Sequence, residues 1–186
     1  IIGTYNIVKA SVARNIKNVV AISTDKAVKP VSAMGMTKAL QEKIILSDDL
    51  TKDKTKFCCV RYGNVLGSRG SVIPLWNSKI EQNEPLPVTH PDMTRFLLTL
   101  SQAIDLVFYS LKHGKGGEIF VKKAPSATMV NLAKAYAELK TGKKDYPLKY
   151  VGIRAGEKID EVLVSHEEMR RAHEKKDHFV IERESN

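Results

Sequence analysis

An acid and an amine stand side by side at Asp25 and Lys26, directly after an apolar, β-branched run at residues 19–22. That run has the composition and length of a buried strand in a parallel sheet. Ser23, Thr24, Asp25 and Lys26 therefore fall at the carboxyl end of a strand, where open α/β sheets bind their ligands. A carboxylate and an amine placed there could move protons to and from a substrate. The alternative is a solvated Asp-Lys turn, because charged pairs at strand ends are usually structural.

A loop containing Pro30 comes next, and the pattern of residues 33–50 predicts a helix. Met34 and Lys38 are four residues apart in that helix, so they share one face, one turn from each other. Spacing alone leaves two interpretations of Lys38. It is a second amine for the same chemistry, or it is an ordinary surface lysine.

The run Ser-Thr-Asp-Lys followed by Met-x-x-x-Lys resembles the active-site stretch of extended short-chain dehydrogenase/reductases, most closely the nucleotide-sugar 4,6-dehydratases. That family carries Tyr-x-x-x-Lys on the helix, and Met34 stands at the tyrosine position. A thioether can neither take nor give a proton. A sub-group resembling the capsule-type UDP-N-acetylglucosamine 4,6-dehydratases, which also epimerise at C5, carries methionine there. The departure therefore narrows the resemblance to this sub-group.

The resemblance implies roles for the residues at the strand end. Lys26 is the candidate for proton transfer at C5 of the sugar, Asp25 is the acid for the C6 oxygen, and Thr24 supports them by hydrogen bonding. Lysine serves as a base only when burial or a neighbouring cation such as Lys38 favours its neutral form. Met34 cannot take the proton of the C4 hydroxyl, so that step falls to Asp25, Lys26 or an ordered water.

The same resemblance implies a nicotinamide cofactor, NADP or NAD. Lys38 and Ser23 are the candidates that contact it, and Asn6, in a Gly-Thr-x-Asn motif, belongs to the proton-relay set. A pyrophosphate site needs a strand, a glycine-rich turn and a helix. The glycine-rich run at residues 114–117 precedes a strand-like segment instead, so it is interpreted as a helix stop and turn. We therefore expect the chain to hold the second half of a catalytic fold, beginning mid-domain without the cofactor-binding half.

Five residues match the family's sugar-nucleotide contacts. Asn64 lies in an Arg-Tyr-x-Asn-Val-x-Gly stretch, Thr89 follows a proline-rich extended segment, and Arg95 stands where the family places an arginine near the phosphates. Arg154 and Glu157 belong to an Arg-x-Gly-Glu-Lys loop, where the arginine meets the diphosphate and the glutamate holds ribose hydroxyls. These side-chain types suit those groups, although a lone Arg-Glu pair is more often a surface ion pair.

The expected fold class is α/β: a partial doubly wound, Rossmann-like parallel sheet with a smaller C-terminal α/β substrate-binding region. Residues 1–70 are assigned to the second half of a nucleotide-binding domain that carries the active site. Residues 71–186 are assigned to a substrate-binding region interleaved with the last strands of the sheet. Further helices are predicted at 1–16, 71–82, 100–113 and 128–139, and further strands at 57–61, 118–122 and 179–181. Ser71 is a candidate cap for its helix.

The helix at 100–113 has an apolar side formed by Ala103, Ile104, Val107, Phe108 and Leu111, which is predicted to face the core. Adjacent Cys58 and Cys59 fall in a strand and point to opposite faces, so neither a mutual disulfide nor a metal site is expected, and a reduced, cytoplasmic setting is favoured. The histidines at 166, 173 and 178 lack metal-site spacing and are predicted to be at the surface.

The 186 residues carry a formal charge of +9, with 42% apolar and 27% charged side chains. The basic residues are scattered and not interleaved with aromatic residues, which argues against nucleic acid as a partner and favours a nucleotide diphosphate. No apolar run of eighteen residues and no basic-then-apolar leader occurs, so neither a membrane span nor a signal peptide is expected.

The resulting hypothesis is a UDP-N-acetylglucosamine 4,6-dehydratase of surface-polysaccharide biosynthesis, acting on a UDP-sugar as a homo-oligomer. One alternative is a UDP-sugar 4-epimerase, which needs C4 chemistry alone and normally a tyrosine base. The other is a fragment that binds UDP-sugar without turnover.

Overall fold

The computed structural model describes residues 1–47 and 54–183. Its helices are α1 (Ile2–Ala13), α2 (Ala33–Ile45), α3 (Val72–Glu81), α4 (Leu100–His113), α5 (Met129–Thr141) and α6 (His166–Met169), with a 3-10 turn at Asp25–Ala27. Its strands are β1 (Asn18–Ile22), β2 (Lys56–Arg61), β3 (Asn64–Val65), β4 (Leu86–Val88), β5 (Thr94–Leu98), β6 (Ile119–Lys122), β7 (Ser126–Thr128), β8 (Leu148–Tyr150), β9 (Ala172–Glu174) and β10 (His178–Ile181).

The chain divides into two compact units. Unit 1 comprises Ile1–Gly63, Ser101–Lys123 and Val162–Asn186. Unit 2 comprises Asn64–Leu100 and Ala124–Glu161. The chain therefore leaves unit 1 after β2, returns to it in α4, and leaves it again after β6.

Unit 1 is built on a five-stranded sheet with the order β1-β2-β6-β10-β9. β1, β2 and β6 pair in parallel, whereas β10 pairs antiparallel with both β6 and β9. The parallel strands end at one edge of the sheet, so residues that follow β1 and β2 lie together there. This mixed α/β sheet confirms the predicted fold class.

The two faces of this sheet are both buried, as the run of apolar residues in β2 requires. Phe57 and Cys59 belong to the cluster on one face, with Val8 of α1 and Ile45 of α2. Cys58 belongs to the cluster on the other face, with Leu106 of α4 among its members. The two thiols are free and point to opposite sides, as their adjacency in a strand predicts.

Helix α4 has the predicted bounds, but the prediction of its buried face is wrong for two of the five residues. Ala103, Leu106 and Ser110 are buried, while Ile104 and Phe108 are 43% and 66% exposed. The helix carries apolar residues on more than one side, and Leu106 packs in the cluster with Cys58, Val60 and Phe120 of the sheet. Periodicity identified the helix but did not decide which side meets the sheet.

Two further predictions change in unit 1. Helix α2 ends at Ile45, and the predicted continuation to residue 50 runs into residues 48–50, outside the described ones. His178 is buried, not at the surface, because it lies in β10 with its ring 4.5 Å from the ring of Tyr109.

Unit 2 contains a three-stranded sheet with the order β3-β5-β7 and a β4-β8 pair. Its core gathers residues from α3, α5 and the strands between them: Trp76, Leu86, Val88, Ala133, Ala137 and Tyr146. The indole of Trp76 donates to the backbone oxygen of Pro87 at 2.8 Å, which ties α3 to β4. Across both units, none of the helices in the described ranges is long and apolar enough to cross a membrane.

Candidate functional site

The residues after β1 form a tight turn whose backbone is anchored to β2. The amide of Ser23 donates to the oxygen of Val60 at 2.7 Å, and the amide of Asp25 donates to the oxygen of Tyr62 at 3.2 Å. Thr24 has extended backbone angles and caps the 3-10 turn, its hydroxyl accepting from the amide of Lys26 at 3.4 Å. The turn is therefore an extension of the β1-β2 ladder.

Asp25 is fully buried in this turn, at 0% exposure. Its Oδ1 accepts from the hydroxyl of Thr24 and from Nζ of Lys26, both at 2.9 Å. Its Oδ2 is also buried and has no hydrogen-bond partner among residues 1–47 and 54–183; it is the open oxygen of Asp25. A buried carboxylate oxygen without a partner is costly, so it marks a place where a ligand or water completes the site.

Helix α2 begins beside this turn. Ser32 caps it by accepting from the amide of Gly35 at 3.1 Å. Nζ of Lys38 donates to the oxygen of Ile22 at 3.0 Å, which brings the lysine to the end of β1. Met34 is 48% exposed, so its thioether is not part of the core.

Two other predicted residues of unit 1 differ in their surroundings. Ser23 is buried, and its hydroxyl lacks a hydrogen-bond partner within the described part of the chain. Asn6 lies exposed on α1. Ser23 and Asp25, at the end of β1, are therefore both buried residues with a side-chain oxygen that lacks a hydrogen-bond partner in the described residues.

A buried ion network fixes α2 to the sheet. The guanidinium of Arg61, at the end of β2, donates to both carboxylate oxygens of Glu42 on α2, at 3.1 and 2.6 Å. It also donates to both oxygens of Glu168 on α6, at 3.0 and 2.8 Å, and to the backbone oxygen of Leu163. Glu42 lies one turn beyond Lys38, so this network holds in place the helix that carries Lys38 and Met34.

The network lowers the pKa of one of its acids, Glu168. Burial raises the pKa of Glu168, but the hydrogen bonds and positive charge of Arg61 outweigh it and hold that pKa below the usual value. The capping box between Ser165 and Glu168 orients the same carboxylate. Glu168 is therefore ionised at neutral pH.

Unit 2 contains a pocket with a volume of about 310 Å³. All five predicted sugar-nucleotide residues line it: Asn64, Thr89, Arg95, Arg154 and Glu157. They come from the start of β3, the end of β4, β5 and the segment after β8. The rest of the wall is mainly apolar, as in most small-molecule sites.

The turn that carries Arg154 and Glu157 is closed by its own hydrogen bonds. The amide of Glu157 donates to the oxygen of Arg154 at 3.1 Å, and the carboxylate of Glu157 accepts from the amide of Arg154 at 3.2 Å. Arg95 supports this turn from β5, because its terminal nitrogens donate to the oxygens of Lys158 and Ile159, each at 3.0 Å. In this structure Arg95 therefore orders the Arg154 turn.

The family match spans nearly the whole chain: a family described as polysaccharide biosynthesis protein matches residues 1–183. The chain belongs to this family. Curated relatives include a UDP-glucose 4-epimerase of Rickettsia rickettsii, 43% identical over 183 residues, and one of Rickettsia bellii (strain OSU 85-389), 44% identical over 183 residues. Each alignment covers 97% of this chain and 53% of the relative. The chain thus spans about half the length of the relatives it matches.

Solved structures agree with the fold. Pen from Bacillus thuringiensis superposes with a TM-score of 0.93 and 39% identity, covering 98% of this chain and 58% of Pen. A dTDP-glucose 4,6-dehydratase from Bacillus anthracis, solved with NAD, gives a TM-score of 0.74 at 19% identity over 84% of this chain and 56% of the dehydratase. The likeness to the dTDP-glucose 4,6-dehydratase shows a shared fold.

Sequence reasoning missed two polar residues that the structure places in or behind these sites. Ser71 stands at the predicted cap position of α3, but its hydroxyl caps nothing; it lines the pocket and, like Oδ1 of Asn64, is buried without a partner in the described residues. Arg61 was read as part of a motif and not as the centre of an ion network. An arginine inside an apolar strand run was the available signal, because such a residue must be paired.

Proposed function

We propose that this chain carries the catalytic and sugar-nucleotide-binding part of a nucleotide-sugar 4,6-dehydratase, with UDP-N-acetylglucosamine as substrate and inversion at C5. The observation that carries the proposal is the Asp25 turn. A fully buried carboxylate there keeps one oxygen open and shares the other with the amine of Lys26. Elimination of water from a sugar needs both a base and an acid, and this pair can supply both.

The pair reaches its reactive form by moving one proton. Nζ of Lys26 and Oδ1 of Asp25 are 2.9 Å apart, so transfer along this hydrogen bond converts ammonium and carboxylate into amine and carboxylic acid. The amine of Lys26 then takes the C5 proton of the 4-keto sugar. The acid of Asp25 gives its proton to the C6 oxygen, which leaves as water. Elimination thereby restores the original ion pair.

Thr24 and Lys38 position this pair. The hydroxyl of Thr24 donates to the same Oδ1 that Lys26 contacts, and so fixes the carboxylate plane. Lys38 anchors α2 to the end of β1 through the oxygen of Ile22. Met34 cannot take the proton of the C4 hydroxyl, because a thioether does not accept a proton, so that proton passes to an ordered water.

NAD or NADP would supply reversible hydride transfer at C4 and C6. The end of β1 fits the nicotinamide side of such a cofactor, because the buried Ser23 hydroxyl is left open there within the described chain and Lys38 reaches the same strand end. The glycine run at 114–117 lies between α4 and β6 and so precedes a strand, which does not fit a pyrophosphate turn.

The pocket of unit 2 is the proposed site for the UDP moiety. Arg154 neutralises the diphosphate, and Glu157 accepts from ribose hydroxyls. Asn64 contacts the sugar nucleotide through its amide, and Thr89 lies where the extended segment meets the base. Arg95 keeps the Arg154 turn in place for these contacts.

A second candidate is a UDP-sugar 4-epimerase, which the names of the 43–44% identical relatives favour. Both reactions begin at C4 of a UDP-sugar, so the pocket of unit 2 serves either one. The two differ at C6, because epimerisation loses no water.

Mass spectrometry of the product decides between them. The complete gene product that contains this sequence is incubated with UDP-N-acetylglucosamine and NAD or NADP. A product lighter by one water supports the dehydratase. An isomer of unchanged mass that chromatography separates from the substrate overturns it in favour of the epimerase, and binding of UDP with no new product identifies a binding chain without turnover. Lys26→Ala should abolish loss of water, whereas Lys17→Ala, at an exposed lysine before β1, should not.

The same preparation tests two broader expectations. We expect a homo-oligomer that works in the cytoplasm. Sedimentation velocity measures the assembly state, and cell fractionation measures the location.

A further inference from the structure

Gly35, in the first turn of α2, stands closer to the Asp25 turn than any residue with a side chain could. A Cβ built on Gly35 would lie 2.4 Å from the backbone oxygen of Lys26 and 3.1 Å from Cβ of Pro30. Attractive contacts between carbon atoms are optimal at about 3.5–4.0 Å. The helix and the turn therefore meet through bare backbone at this point.

We infer that Gly35 is a positioning residue for the reaction: its lack of a side chain sets the position of the Asp25–Lys26 pair against helix α2. This inference rests on the proposed function for its effect on turnover. The sequence alone does not indicate this role, because Gly35 occupies one of the unspecified positions between Met34 and Lys38 in the Met-x-x-x-Lys motif.

The contact that Gly35 permits is made to backbone, which cannot rotate away. The atom nearest the added Cβ is the carbonyl oxygen of Lys26, and the carbonyl carbon of the same residue would lie 3.3 Å away. Relief requires the 3-10 turn or the start of α2 to move by on the order of 1 Å. Because Asp25 and Lys26 lie in that turn, the shift moves both proton carriers.

The helix end of this contact is held firmly. The amide of Gly35 donates to the capping hydroxyl of Ser32, and farther along the helix Glu42 is bound to the guanidinium of Arg61. The turn is joined to the segment at the end of β2 by the amides of Ser23 and Asp25, at 2.7 and 3.2 Å, while the bonds among Thr24, Asp25, Ala27 and Val28 lie within the turn and move with it. An added methyl group at position 35 should therefore displace the turn and not the helix.

Gly35→Ala tests this inference, with Gly3→Ala as the matched control. Both glycines lie in the first turns of helices of unit 1, but a Cβ on Gly3 meets nothing within 4 Å. Alanine is the better helix former, so helix propensity alone predicts that both variants are at least as stable as the parent chain. A loss of amide protection in the turn, or of turnover, that occurs in Gly35→Ala and not in Gly3→Ala is therefore caused by the contact with the turn.

The first measurement is amide hydrogen exchange, which requires no substrate. The amides of Asp25, Ala27 and Val28 are bonded within the turn or to Tyr62, and the amide of Ser23 is bonded to Val60. We expect exchange at the three turn amides to accelerate about ten-fold or more in Gly35→Ala, with the Ser23 amide unchanged. Unchanged exchange throughout would overturn the inference.

The second measurement is turnover by the complete gene product. We expect kcat to fall about 10- to 100-fold in Gly35→Ala with KM for the UDP-sugar within about two-fold, since displacement by about 1 Å harms chemistry more than binding. Normal kcat, or a rise in KM alone, would overturn the inference. If the parent chain itself converts no sugar nucleotide, the proposed function fails. Hydrogen exchange then still tests whether Gly35 sets the position of the turn.

A double variant covers the case in which Gly35→Ala does not fold. Adding Pro30→Gly removes the second close contact and frees the loop after the turn, so the turn can move and the chain should fold. We expect the double variant to keep fast exchange in the turn and low kcat. Normal values for both would show that Gly35 does not position the pair.

Discussion

In unit 1 the guanidinium of Arg61 is buried and paired with two acids, whereas in unit 2 the guanidinium-bearing residue Arg154 is exposed at the wall of the pocket. Arg61 meets both oxygens of Glu42 and of Glu168. Arg154, by contrast, is exposed at the wall of the unit 2 pocket. Buried charges that are paired hold secondary-structure elements in place, whereas polar groups without a protein partner can bind a ligand.

Asp25 belongs to both descriptions, which is why it is the most informative residue of unit 1. One of its oxygens is tied to Thr24 and Lys26 as a structural group would be. The other oxygen has no hydrogen-bond partner among the described residues, as is expected of a group that binds a ligand. The comparison between the units therefore predicts different consequences for substitutions that look alike in sequence.

The largest expected effect is on turnover, from Asp25→Asn. The amide keeps the size of the carboxyl but cannot carry its proton, so kcat should fall about 10²- to 10⁴-fold. Affinity for UDP, which we assign to unit 2, should stay within about two-fold. Steady-state kinetics and UDP calorimetry measure the two, with Asp105→Asn, at an exposed position of α4, as the control. A matching loss of UDP affinity would break the division of labour between the units.

A large effect on stability is expected from Arg61→Ala. Removing the guanidinium leaves one buried carboxylate, Glu42, and one partly buried carboxylate, Glu168, without their partner, which costs about 3–5 kcal/mol in the free energy of unfolding. Urea denaturation followed by circular dichroism measures this cost. A cost near that of an exposed substitution such as Arg14→Ala would show that the network does not hold α2.

The same network predicts acid sensitivity. The pKa of Glu168 is lowered in the folded chain, so its pairing contributes stability above its ordinary pKa, and that contribution disappears as the pH falls through the lower folded value. Denaturation midpoints should therefore drop as the pH is lowered from about 5 toward 3. Glu168→Gln should reduce this dependence, and an unchanged slope in that variant would contradict the assignment.

A moderate effect on binding is expected in unit 2 from Arg154→Ala. A charged hydrogen bond to a phosphate contributes about 1.5–3 kcal/mol, so the Kd for UDP should rise about 10- to 100-fold. Lys134→Ala, at an exposed lysine of α5 outside the pocket lining, is the control for charge alone. Equal losses in the two variants would mean that general charge, and not the pocket, attracts the nucleotide.

The smallest expected effect is the reaction of the thiols with a thiol reagent. Burial and the neighbouring Glu118 raise the pKa of Cys58 to about 12, and burial also raises the pKa of Cys59. Neither thiol should react with Ellman's reagent in the native chain at pH 8, and both should react in urea. Rapid labelling of the native chain would show that the interior of unit 1 opens more easily than its pairing suggests.

Local patterns in the sequence predicted most elements of unit 1, with β9 among the exceptions, and the family resemblance implied five of the residues that line the pocket. The apolar runs that became β1 and β2, and the periodic stretch of α4, are short-range signals that the chain carries wherever it folds. The residues matched to the Arg-x-Gly-Glu-Lys loop and to Asn64 line one pocket, because each motif lies at the end of a strand or in the loop that follows it. The fold class followed from the same patterns.

Tertiary packing decided what local patterns could not. Which side of α4 is buried, the burial of His178, the pairing of Arg61 with two acids, and the open hydroxyl of Ser71 all depend on residues distant in sequence. The sequence by itself determined that an acid and an amine follow a strand, although its prediction that this strand is buried is wrong, because β1 lies half-buried at the edge of the sheet. The tertiary structure decided that the acid is fully buried with one oxygen lacking a partner in the described residues, and that Gly35 of α2 lies close to the backbone of Lys26. Burial and close backbone contact are properties of the packed chain, and no spacing along the sequence encodes them.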